Sequence, residues 1–173
     1  MRNARGLEHD ALFGALYPQL RRMARAQLRR NQPITLLDTT GLVHEAWLRL
    51  AANQGMPLDD EGRFLGYAAR VMRFVVIDFV RQRHAQRRGG EVVHVTLDTG
   101  IGESSTLHDE QLLRLNEAID ALGAVDERLV QLVELRCFGG LSETQLGETL
   151  GVSVRTVRRQ WQRARALLHA AMN

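Results

Sequence analysis

The stretch "LSETQLGETLGVSVRTVRRQWQRARALL", residues 141–168, decides how the rest of the chain is read. Ser142 followed three places later by Gln145 is the pattern of a capping box, which predicts a helix start. Leu146 and Leu150 then face inward, Gly151 permits a tight turn, and Ser153 caps a second helix. In that second helix Val154, Val157, Trp161, Ala164 and Leu168 fall on one stripe, while Arg155, Arg158, Arg159 and Gln162 gather on the far side. A short capped helix, a glycine turn and a longer, well-anchored basic helix form a helix-turn-helix, whose exposed face enters a DNA groove. An ordinary amphipathic helix with a solvated arginine face accounts for the charge, but not for the caps and the turn. Trp161 lies on the apolar side and is expected in the core.

Working outward, the remaining periodicities are also helical. Residues 10–30 repeat Leu12, Leu16, Leu20 and Met23, with Pro18 expected to kink or divide the helix. Residues 40–53 place Leu42, Val43, Ala46, Trp47 and Leu50 on one face, with Thr39 or Thr40 as the cap. The longest signal is "RFLGYAARVMRFVVIDFVRQRHAQRR", residues 63–88. Leu65, Ala68, Met72, Val75 and Phe79 make its stripe, and Tyr67, Arg70, Phe74 and Arg81 fall roughly opposite. Gly89 and Gly90 stop it. Residues 91–108 lack a sustained period and read as a tether, with a short strand conceivable at Val92–Leu97. Helix returns at about 109–122 and 126–138, and a glycine pair at 139–140 ends it. The expected architecture is therefore all-α: a helical unit over residues 8–90, a flexible acidic linker over 91–108, and a second helical unit over 109–173.

Charge sharpens this outline. All 23 cationic residues are arginine, and arginine suits bidentate contact with phosphates and base edges. Residues 70–90 hold six arginines against Asp78 alone, and residues 151–173 hold five with no acid. Between them, residues 91–127 carry nine acids and one arginine. Two basic patches flanking an acidic stretch suit two contacts on one polyanion. The single Cys137 excludes a disulfide within the chain, and none of the six histidines sits at metal-ligand spacing from a second ligand. No catalytic motif is found, and no cofactor or metal is expected. No apolar run has bilayer length and no signal-peptide core follows the first residues, so the expected compartment is the cytoplasm.

These motifs, in this order, resemble the bacterial RNA polymerase sigma factors of the sigma-70 family, extracytoplasmic function (ECF) type. "LVHEAWLRL", residues 42–50, resembles the helix with which the family docks on the coiled coil of the polymerase β′ subunit. It departs from the family's usual pattern at Gly41 and His44. The resemblance implies His44, Glu45 and Arg49 as polymerase contacts. "FLGYAARVMRFVVIDFVRQRHAQRRGG", residues 64–90, resembles the segment that reads and melts the −10 element. It implies Tyr67, Arg70, Phe74, Asp78, Arg81, Arg83, Arg87 and Arg88 as contacts to opened DNA. Residues 141–168 resemble the unit that reads the −35 element, implying Arg155, Thr156, Arg158, Arg159, Gln162 and Arg163. The linker of the family threads near the polymerase active centre, which suggests that Asp98, Glu103 and Asp109 mimic nucleic acid there.

The residues alone are less specific. Rings at Tyr67 and Phe74 would stack on splayed bases while arginines hold the backbone, or they would fill a second core face between helices. The implied partners are core RNA polymerase, through its β′ coiled coil and β subunit, and promoter DNA. An anti-sigma factor or other regulator is a further implied partner, and membrane insertion is not expected. Two other readings remain: a freestanding helix-turn-helix repressor or activator, and a sigma-like protein-interaction module that starts no transcript.

Overall fold

The computed structural model describes residues 4–30, 38–52, 60–89 and 99–173. They form seven α-helices: α1 Ala4–Arg30, α2 Thr39–Ala52, α3 Glu61–Arg88, α4 Thr99–Gly123, α5 Glu127–Cys137, α6 Glu143–Leu150 and α7 Val154–Met172. The expected strand at 92–97 falls outside the described residues.

Local chemistry sets most boundaries. Asp60 caps α3 by accepting from the Arg63 amide at 3.0 Å, and Asp126 caps α5 through the Arg128 and Leu129 amides. Ser142 and Gln145 form the reciprocal capping box at α6. Gly151 ends α6 at φ +67°, and Ser153 accepts from the Thr156 amide at the start of α7. Two expectations change. Asp38, not Thr39 or Thr40, caps α2, accepting from the Gly41 amide at 2.6 Å. Pro18 does not divide α1, which runs unbroken through it. The proline leaves the Gly14 carbonyl without its helical donor, and both residues are exposed, so water can take that bond.

The residues read as tether also look different. Positions 91–98 lie outside the described residues, but Thr99–His108 form the opening turns of α4. Their two glycines and polar residues carry weak helix propensity, and the stripe that follows them, Leu112, Ile119 and Leu122, is buried.

Packing then joins the helices. α1 lies on α2, α2 on α3, and α4, α5 and α6 all pack on α7. α3 contacts α4, α5 and α6 as well. One continuous apolar core runs from Leu20 and Met23 through Met72, Ile77 and Ile119 to Val157 and Leu168. The middle of α3 is buried nearly all round: Val71, Met72, Arg73, Val75, Val76, Ile77 and Val80 are all covered. A helix apolar on every side needs neighbours on every side, and α2 with α1 supplies one flank while α4 and α5 supply the other.

Candidate nucleic-acid interface

The stretch read as a helix-turn-helix comprises α6, a left-handed turn at Gly151 and α7. Val157, Ala164 and Leu168 are buried, and Trp161 is half-buried against the core. The Arg136 guanidinium lies 4.3 Å from the centroid of the Trp161 ring, fixing the indole from α5. On the opposite face Arg155, Arg159 and Gln162 are exposed, and neither arginine forms an ion pair with a described residue. Arg158 donates to Glu143 Oε2 at 2.7 Å, and Arg163 lies 3.6 Å from Asp126. Thr156 is half-buried, with its hydroxyl 3.0 Å from that of Ser153, so it supports the cap. The Arg158 hydrogen bond is the largest reason that the Glu143 carboxyl titrates below the usual carboxylate range. This face therefore keeps a free cationic front at Arg155 and Arg159, with Arg158 and Arg163 held by acids of its own unit.

The other basic patch is arranged differently. Arg83 is buried on α3, and its Nε donates to Asp109 Oδ2 at 2.9 Å while a terminal nitrogen meets Asp109 Oδ1. Asp109, the first residue of the expected second unit and grouped with the linker acids as a nucleic-acid mimic, is fully buried on α4. Arg70 faces Glu127 at 3.4 Å and Glu134 at 3.8 Å, both on α5. Tyr67 is half-buried against the core. Phe74 remains 41% exposed with the Arg73 guanidinium 5.0 Å from its ring. Asp78 pairs with Arg49 of α2 at 2.8 Å and lies 3.9 Å from Arg81, so a residue assigned to DNA and one assigned to polymerase hold each other. The side chains of Arg87 and Arg88 lie outside the described ones. The candidates on α3 thus do not share one open face.

Sequence reasoning overlooked Arg73. It is 2% exposed, sits among the apolar residues of α3, and pairs with Asp120 at 2.9 Å and with Glu134 at 3.3 Å. The signal was present: Ala69, Val76 and Ile77, at helical spacing from it, are all apolar and buried. Burial is the leading influence on Glu134 and raises its pKa, against the lowering effect of Arg73 and Arg70. Also missed was a cationic hollow on α1, about 770 Å³, lined by Tyr17, Arg21, Arg22 and Arg25.

On α2, His44 and Glu45 are exposed beside Leu48, an exposed apolar side chain. Arg49, half-buried, turns from that strip toward Asp78 of α3. Among the described residues, no group of three His, Cys, Asp or Glu is placed to hold a metal ion, and no helix is long and apolar enough to cross a membrane.

A family model described as ECF sigma factor matches residues 4–173. No curated protein and no solved structure gives a significant match.

Proposed function

The chain belongs to the ECF sigma factor family, and on that premise we propose that it directs core RNA polymerase to promoters with a −35 and a −10 element and helps to open the DNA. As a sigma factor it is a transcription regulator rather than an enzyme; the polymerase does the chemistry. In this reading α7 lies in the major groove of the −35 duplex. Arg155 and Arg159 reach base edges or phosphates there, and Thr156, Arg158, Gln162 and Arg163 flank them. The basic part of α3, with Tyr67, Arg70, Phe74, Asp78, Arg81, Arg83, Arg87 and Arg88, holds the opened −10 strand. His44, Glu45 and Arg49 on α2 meet the polymerase, with Leu48 between them. Residues 8–90 and 109–173 then act as two heads of one reader, and docking of one raises the effective concentration of the other.

One observation carries this reading: the family match runs from the first described residue to the last, and it takes in the α6–α7 pair, whose exposed Arg155 and Arg159 form no ion pair with a described residue. The test is in vitro transcription with core polymerase on a library of genomic promoters. Defined transcripts sharing two spaced elements are expected. Occupancy of an operator by the chain alone, with no polymerase-dependent transcript, would reverse the assignment.

A further inference from the structure

We infer that the cationic hollow on α1 is a binding site for a nucleoside di- or triphosphate, a ligand that the sigma-factor reading neither needs nor assigns. Tyr17, Arg21, Arg22, Arg25 and Leu28 of α1 line it, with Thr39 from the first turn of α2. Its volume of about 770 Å³ lies within the roughly 300–1,000 Å³ typical of small-molecule sites.

The unmet charge comes first. Tyr17, Arg21, Arg25 and Leu28 are spaced by four, four and three, so they form one strip along α1, and Arg22 lies beside it. Three exposed cations within one turn repel one another, and like charges at i,i+4 weaken a helix. Elsewhere acids meet such arginines: Arg73 faces Asp120 and Glu134, Arg158 faces Glu143, and Arg163 faces Asp126. Here none of the three forms an ion pair with a described residue. Residues 31–37, which lead from α1 to α2, read "NQPITLL" and hold no acid. Asp38, which follows, turns Oδ1 to the Gly41 amide at 2.6 Å. The hollow is therefore left to an anion from outside the chain, and guanidinium groups grip phosphate oxygens in pairs.

The aromatic end identifies the anion. The half-buried Tyr17 ring meets Phe13 edge to face with centroids 5.3 Å apart, and Phe13 lies 5.0 Å from Trp47 of α2. A ring held in this way offers a fixed face to a flat base. At 1.5 Å of rise per residue, Arg21 follows about 6 Å along the helix axis and Arg25 about 12 Å. A base at Tyr17, a sugar beyond it and phosphates at Arg21 and Arg25 match the order of parts in a nucleotide. Inorganic phosphate would use the arginines and leave the ring idle.

The experiment is calorimetric titration of the full chain with ADP, inorganic pyrophosphate and adenosine. Saturable binding of one ADP per chain is expected, with pyrophosphate and adenosine each weaker by about tenfold or more. Arg22 also borders a hollow that contains Asp60, Glu61 and Glu148, so Arg21 and Arg25 are the pair to remove. Arg21→Ala with Arg25→Ala should weaken ADP by about tenfold or more, since each loses a charge-assisted hydrogen bond. Both side chains are exposed and alanine is the better helix former, so the helical circular dichroism should stay unchanged. Arg114→Ala with Arg165→Ala removes two exposed arginines from α4 and α7 and should leave ADP affinity within about twofold. Absence of saturable ADP binding, or equal weakening by the two double variants, overturns the site. Pyrophosphate binding as tightly as ADP overturns the nucleotide assignment. If the α1 double variant weakens a single-stranded oligonucleotide and leaves ADP unchanged, the hollow belongs to nucleic acid and the inference fails. No arm needs a transcript, so the outcome is independent of the sigma-factor reading.

Discussion

Gly140 offers a direct measure of how the first and last parts of the chain fit together. It sits between α5 and α6 at φ +69°, and a Cβ placed on it would lie 2.3 Å from the Cβ of Ala26 on α1. Gly140→Ala therefore meets two penalties. The left-handed backbone costs a residue with a Cβ about 1–2 kcal/mol. Forcing a methyl group into filled space adds about 1–3 kcal/mol. Gly151 separates the two, because it has nearly the same φ of +67° but nothing within 4 Å of its missing Cβ. Gly151→Ala should thus lose only the backbone term, about 1–2 kcal/mol. The assay is urea unfolding followed by circular dichroism, with Ala26→Gly as the partner substitution. Alone, Ala26→Gly should cost about 0.5–1 kcal/mol as a glycine in a helix. Combined with Gly140→Ala it should restore the room, giving a coupling energy of about 1–3 kcal/mol. Where α1 separates from the α5–α6 turn before the fold gives way, small-angle scattering would register a larger radius for Gly140→Ala only. Equal losses for the two alanine variants, with additivity within about 0.5 kcal/mol in the double variant, would show that α1 and this turn do not meet.

Four further outcomes are expected. Arg155→Ala, read as a base contact, should weaken initiation by about 1–3 kcal/mol on a matched −35 element in run-off transcription and relax preference at one position; equal loss on a scrambled element would reassign it to phosphate. Glu45→Arg should lower affinity for core polymerase in a pull-down titration while leaving the helical circular dichroism unchanged; normal affinity removes it from the docking strip. Ser153→Ala removes the oxygen that accepts from the Thr156 amide and should cost about 1 kcal/mol in urea unfolding. Glu134 gives a pH dependence whose sign is set by its raised pKa: the packed form binds a proton more readily than the unfolded chain. Its contribution to stability is then fully present below the ordinary glutamate value and is lost as pH rises through the raised one. The facing charges are Arg73 and Arg70 on α3, Glu127 on α5 and Asp120 on α4. Urea midpoints should fall across that window in the parent chain and flatten in Glu134→Gln.

The C-terminal unit was legible because its determinants are local. Ser142, Gln145, Gly151 and Ser153 act within a few residues of themselves, and each appears in the geometry the sequence implies. The stripe of α7 needed only a period. The second face of α3 was not legible in the same way. Val71, Val76, Ile77 and Val80 announce that more than one side is apolar, but they do not say which helix arrives there. Tyr67 illustrates the ambiguity. A ring opposite a core stripe serves a nucleic acid or a neighbouring helix, and here it is half-buried against the core, which leaves part of the ring in reach of a ligand. Asp109 shows the opposite failure. An acid at the start of a helix reads as solvated, yet it is fully buried against Arg83, which lies 26 residues earlier in the chain. Pairings at such separation depend on the whole packing, which no local window contains.

Arg73 and Arg83, at 2% and 8% exposure, are buried cations, and an unpaired buried cation is costly. Asp120 and Asp109 on α4 and Glu134 on α5 supply the carboxylates that meet them. The front of α7 needs no such partner: Arg155 and Arg159 stand in water, where hydration rather than a carboxylate meets their charge. Rising salt should therefore weaken any phosphate grip of the exposed arginines through counterion release, while it disturbs the buried pairs far less.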